Sequence, residues 1–122
     1  MKIILTASSP DLDSAIDSRF GRGAYFIVVD PDTMEWQAHS NPGVGATGGA
    51  GTLAAQFAAN QHANSVISGD FGPNAYNALQ AAGISMYLFG ATTSVGQAIK
   101  LFKANQLIKV ETPTSQGHRQ RG

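Results

Sequence analysis

The chain has no cysteine. That excludes disulfides, thiolate zinc sites, cysteine-ligated iron–sulfur clusters and cysteine nucleophiles together, so any metal must be held through histidine, carboxylate, backbone or non-covalent contacts. Charge is scarce too. The 122 residues carry 8 Lys+Arg and 8 Asp+Glu, for a formal net charge of zero. Binding to nucleic-acid phosphates draws on an excess of basic residues, and its absence argues against that class of partner. No apolar run reaches the ~18–20 residues that span a bilayer. Ile3–Leu5, the apolar run near the start, is far too short for a signal-peptide core. These absences read as a soluble, cytoplasmic protein with no nucleic-acid or membrane partner.

What is present is a chain 43% hydrophobic, enough for one packed core. Residues 1–112 read as a single domain and 113–122 as a flexible polar tail. The few charges are segregated: six acids lie between Asp11 and Glu35, five bases between Lys100 and Arg121, and residues 36–99 hold only Asp70. Lys2–Ala7, Ala24–Val29 and Met34–Ser40 read as strands, the last two joined through the turn Asp30–Thr33. Ser8–Arg22 is a long polar excursion. The spacing of Ala50, Leu53, Ala54, Phe57, Ala58 and Gln61 predicts a helix with that face buried. A strand follows at Ser65–Ser68. Pro73 then opens a second helix, striped by Ala75, Ala78, Leu79 and Ala82 and stopped at Gly83. Ile84–Phe89 is a strand. Ser94 and Gln97 stand in capping-box spacing before a helix that buries Val95, Ala98, Ile99 and Phe102. Leu107–Val110 reads as a short edge strand. A hairpin followed by alternating helices and strands implies an α/β fold with a mixed sheet and helices on both faces, its ligand loops at the carboxyl ends of the parallel strands.

Three stretches carry the chemistry. The first is Asn41–Gly51, "NPGVGATGGAG". Its Gly43, Gly45 and Gly48 match G-x-G-x-x-G, but no acidic residue stands twenty positions on and there is no GKS or GKT. A dinucleotide fingerprint is therefore weak and a P-loop is excluded. Gly48, Gly49, Ala50 and Gly51 instead open a helix, where bare N–H groups attract anions; an ordinary glycine connector explains the composition equally well. The second is "SGDFGPN", with Gly69, Phe71 and Gly72 at another strand-to-helix turn. Alone it reads as a simple βα turn, and two such turns at one sheet end make a pocket. The third is "DSRFGRGAYF", where Arg19 and Arg22 flank Phe20 and Gly21. Two arginines around an aromatic fit an anion, though Asp11, Asp13 and Asp17 stand near enough to satisfy them. His39, His62 and His118 show no HxH or HExxH spacing, which leaves His39 a weak metal-ligand candidate. No GxSxG or other nucleophile motif appears, and the acids form no two-metal pattern.

"DSRFGRGAYFIVVD", "NPGVGATGGAG" and "SGDFGPNAYNALQAAGISMY" follow in an order and spacing that resembles the dinitrogenase iron–molybdenum cofactor-binding domains, from about Lys2 to Leu107. The resemblance implies a ribonuclease H-like fold with a mixed five-stranded sheet, no nuclease activity, and the binding or carriage of metal–sulfur clusters. The chain is most similar to small single-domain members that carry a molybdenum–copper sulfide cluster without covalent attachment; an iron–molybdenum–sulfur cluster is the alternative. Members that handle nitrogenase cofactors have histidine immediately before Phe-Gly, where Arg19 stands here, which fits electrostatic capture better than ligation. The expectation is a non-enzymatic cluster carrier. Its guest is held by main-chain donors at Gly48–Gly51 and Gly69–Gly72, by Arg19 and Arg22, and by an apolar wall of Phe20 and Phe71. Two alternatives stand beside it: a metal-free interaction module partnering a Mrp/MinD-type ATPase, and a small enzyme acting on a phosphate or nucleotide ligand.

Overall fold

The structure, a computed structural model, describes residues 1–17, 19–43, 49–90, 92 and 94–114. Nine elements run in the order β1 (Ile3–Ala7), β2 (Tyr25–Val29), β3 (Trp36–Ser40), α1 (Ala50–Asn60), β4 (Ser65–Ser68), α2 (Pro73–Ala81), β5 (Ser85–Leu88), α3 (Val95–Lys103) and β6 (Ile108–Lys109). The sheet has six strands in the order β3-β2-β1-β4-β5-β6. The expected five-stranded sheet is thus one strand short. Ile108 and Lys109 pair antiparallel with Leu88 and Tyr87, which extends the edge by two residues.

β1, β4 and β5 are parallel and β3 runs in their direction, while β2 and β6 run against them. The carboxyl ends of the three parallel strands, the entry to β2 and the exit from β3 therefore meet at one end of the sheet. Strands β1 and β4 are buried throughout, because the sheet is covered on both faces. One face carries α1 and α2 over Ile4, Phe26, Val28, Val66 and Met86. The other carries α3 over Ile3, Leu5, Ile27, Val29 and Ile67.

Within α1 the buried set is Ala50, Ala54, Ala55 and Ala58, and Leu53 is exposed. The expected Leu53-bearing face is rotated because α1 packs closely on α2, an approach that only small residues permit. Phe57 is partly buried, stacked on Phe26 with ring centroids 5.1 Å apart.

All three helices close in one way. The residue after the C-cap takes a left-handed conformation: His62 in α1, Gly83 in α2 and Asn105 in α3. In each, paired backbone bonds tie off the last turn, as when Ile84 N–H donates to Leu79 O and Gly83 N–H to Gln80 O. The polar excursion after β1 is held to the core. Thr6 Oγ1 donates to Asp17 O (2.6 Å) and lies 3.0 Å from Ser68 Oγ.

The segment expected to be a flexible tail from Pro113 begins with an anchored residue. Thr114 N–H donates to Phe71 O (3.0 Å), and Phe71 N–H donates to Thr114 Oγ1 (2.7 Å). The remainder of that segment, His118 included, lies outside the described residues.

Candidate functional site

Glycine makes the site possible by letting main chains touch. A Cβ on Gly21 would lie 2.9 Å from Gly51 N and 3.0 Å from Gly51 Cα. One on Gly43 would lie 2.8 Å from Ala50 O, and one on Gly51 would lie 3.1 Å from Ala75 Cβ and 3.3 Å from Ala75 N. The Arg19–Gly23 loop thus rests on the first turn of α1, and that turn rests on the first turn of α2. Two of the three stretches singled out by sequence therefore meet a third within van der Waals distance.

The donors at this junction are open. Gly49, the N-cap of α1, sits at φ 72, ψ 18, and neither it nor Gly72, the N-cap of α2, supplies a side-chain cap. The N–H groups of Ala50, Gly51 and Thr52 in α1, and of Asn74 and Ala75 in α2, have no acceptor among the described residues. Neither first turn carries an acidic residue. Adjacent uncapped helix starts concentrate partial positive charge, which favours an anion.

The predicted residues fall into distinct roles. Gly21, Gly49, Ala50, Gly51 and Gly72 are at the junction, and Gly69 follows β4 directly. Gly48 lies outside the described residues. Asn41, 2% exposed, works as an internal clasp. Its Nδ2 donates to Gly21 O (3.2 Å) and Gly23 O (2.8 Å), and its Oδ1 accepts from Gly43 N–H (2.8 Å). The side chain fixes the two loops relative to each other.

Phe20 and Phe71 do not form a wall. They are 2% and 0% exposed, with ring centroids 5.5 Å apart, and belong to the core beneath α1 and α2. Burying each ring contributes ~1.5–3 kcal/mol, which is why the rings face inward and anchor the loops from below.

Arg19 is on the surface with its side chain 64% exposed, and its Nε is 3.4 Å from Asp17 Oδ1. Such a pair is weakly held. Arg22 is exposed on the same loop. His39 is drawn into other contacts: its ring meets Phe57 edge-on at 5.4 Å, and Nε2 lies 3.3 Å from Gln37 Oε1. No group of three or more His, Cys, Asp or Glu side chains that could hold a metal ion occurs among the described residues.

Sequence reasoning missed Thr114, whose Oγ1 donates to Asp70 Oδ1 (2.8 Å) at the edge of this site. A contact across 44 positions leaves no local pattern to read. An open groove of about 650 Å³ lies at the opposite end of the sheet, lined by Lys2, Asp30, Met34, Trp36 and Gln61 among others. It shares no residue with the junction. No helix of the described residues is long and apolar enough to cross a membrane.

Comparison with known proteins agrees with this architecture. The family model described as dinitrogenase iron-molybdenum cofactor matches residues 1–105. An uncharacterized protein of Methanocaldococcus jannaschii is 32% identical over 114 residues, covering 91% of this chain and 92% of that protein. The apo form of the orange protein from Desulfovibrio gigas superposes with a TM-score of 0.89 at 38% identity, over 93% of this chain and 96% of that one. A NifB-like protein from Thermotoga, of the DUF35 family, gives a TM-score of 0.76 at 27% identity over 88% and 91% of the two chains.

Proposed function

The chain belongs to the dinitrogenase iron-molybdenum cofactor family, and from that premise we propose that it binds or carries an anionic metal–sulfur cluster, held non-covalently and without catalysis. One observation carries the reading. Five main-chain N–H donors without an acceptor among the described residues stand at two helix starts in contact through Gly51 and Ala75. A thiometallate brings its own sulfide ligands and asks the protein only for donors and positive potential. Sulfide is large, soft and weakly hydrated, so backbone N–H groups at a cysteine-free junction suit it. Ala50, Gly51 and Thr52 with Asn74 and Ala75 would supply the donors, and Arg19 and Arg22 the surrounding charge.

Likeness to the orange protein favours a molybdenum–copper sulfide guest over an iron–molybdenum one. The ribonuclease H-like label belongs to the same proposal. It is supported by the order β3-β2-β1-β4-β5 with β2 antiparallel to its neighbours. A cytoplasmic location is part of it as well.

Anaerobic reconstitution with tetrathiomolybdate and copper, followed by native mass spectrometry, tests the reading. The expected result is a coloured protein with a discrete mass increment corresponding to a sulfide cluster. A colourless product without that increment overturns it. Co-purification with an ATPase would then favour the interaction module, and thermal stabilisation by nucleotides or sugar phosphates the small enzyme.

A further inference from the structure

We propose that Thr114 is a positioning residue that holds the Asp70 carboxylate away from the first turn of α2, and so prevents the chain from capping its own anion site. The proposal rests on the reading above for its purpose, but its geometry stands on separate contacts.

Asp70 is the sole formal charge between residues 36 and 99. It lies two residues before Gly72, the N-cap of α2. A carboxylate near the start of a helix is drawn by the helix dipole to satisfy open donors of its first turn. Asp70 does not do so. Asp70 Oδ1 instead accepts from Thr114 Oγ1 at 2.8 Å, and the same hydroxyl accepts from Phe71 N–H at 2.7 Å. A hydroxyl has one proton to give and lone pairs to receive. Thr114 is therefore a relay: its oxygen accepts from the loop, and its proton has Asp70 Oδ1 at 2.8 Å as its nearer acceptor, with Phe71 O at 3.4 Å.

The segment bearing Thr114 is tied at several points. Val110 N–H donates to Met86 O (2.8 Å), Tyr76 Oη donates to Glu111 O (2.7 Å) and Thr114 N–H donates to Phe71 O (3.0 Å). The latch thus comes from the chain beyond β6, secured to β5 and to α2 itself. The first turn of α2 stays open beside an acid that would otherwise close it.

Thr114→Val removes the hydroxyl at nearly constant volume, and Asp70→Ala removes the acid. Without any guest, amide hydrogen exchange is read at Asn74, Ala75 and Phe71. In T114V the Asn74 and Ala75 amides should exchange more slowly, because Asp70 now caps them, and Phe71 faster. The double variant should return Asn74 and Ala75 to wild-type rates. With tetrathiomolybdate and copper as the probe, T114V should retain the cluster about fivefold less well, and T114V/D70A should match or exceed wild type. A general loosening of the loop would leave the double variant as weak as T114V, and that result overturns the proposal. Unchanged Asn74 and Ala75 exchange in T114V also overturns it. If wild type takes up no cluster while the exchange pattern appears as described, the latch stands and the cluster reading alone fails.

Discussion

At their carboxyl ends α1, α2 and α3 are closed by the same left-handed cap, but at their amino ends α3 parts from the other two. In α3 every early donor has a home. Val95 N–H donates to Ser14 O (3.0 Å), Gly96 N–H to Leu12 O (2.9 Å) and Gln97 N–H to Ser94 Oγ (3.2 Å). In α1 and α2 the corresponding groups have no acceptor among the described residues, although α1 is the longest helix at 11 residues. The chain plainly has the means to cap a helix, since it does so on one face of the sheet with a side chain and a folded-back loop. On the other face it places glycine at both N-caps and no acid in either first turn. The difference teaches that, among the described residues, the open starts belong to one face of the sheet and do not reflect a sequence poor in caps.

The strongest way to break the comparison is to fill the junction. Gly21→Ala puts a methyl 2.9 Å from Gly51 N and 3.0 Å from Gly51 Cα, both main-chain atoms that cannot rotate aside. The loop or the helix must shift, at a cost of ~1–3 kcal/mol. The expected outcome is a lower Tm together with loss of cluster retention, checked by calorimetry and metal analysis on one preparation. Normal retention would show that the junction does not host the guest. Next in size is Arg19→Ala with Arg22→Ala. The Arg19–Asp17 pair is long and its arginine exposed, so its loss should cost little stability. Retention at low salt should fall roughly tenfold, and its dependence on ionic strength should flatten. Unaltered retention would remove both arginines from the site.

How much of this was legible in the sequence differs by kind of interaction. β1 and β2 announce themselves as short apolar runs because they are covered on both faces. Ser94 with Gln97, and Pro73 with Gly83, are local signals, and the structure places each where its spacing indicated. The two glycine turns were recognisable as helix starts. Their contact was not, because it depends on sheet order. Phe20 and Phe71 looked like a ligand wall because loop aromatics carry no mark of which way they turn. Leu53 looked buried because an alanine-rich helix fits several phases of the same period. Asn41 and Thr114 act across 18 and 44 positions, and no window along the chain joins such partners.

Two smaller changes on α3 sharpen the comparison from the other side. Ser94→Ala deletes the side-chain acceptor of Gln97 N–H, and a lost N-cap costs about 1 kcal/mol. Denaturant unfolding should register that loss while cluster retention stays at the wild-type level. A parallel loss of retention would mean that the two faces of the sheet are not independent.

Gly96→Ala is the smallest and runs in the opposite direction. A Cβ there would meet Leu12 O at 3.5 Å, an ordinary contact, and the backbone lies outside the left-handed region. Alanine then gains by restricting the unfolded chain and favouring the helix, by about 0.5 kcal/mol. The same chemical change, one methyl on a glycine, should therefore stabilise the protein at the start of α3 and destabilise it where Gly21 meets α1. Glycine in α3 is replaceable because a methyl there finds ordinary contact distance. Glycine at the junction is not, because main chain must meet main chain there for the donors to stay open. Equal and opposite-signed Tm shifts are not required, but shifts of the same sign in the two variants would remove the distinction between the two helix starts.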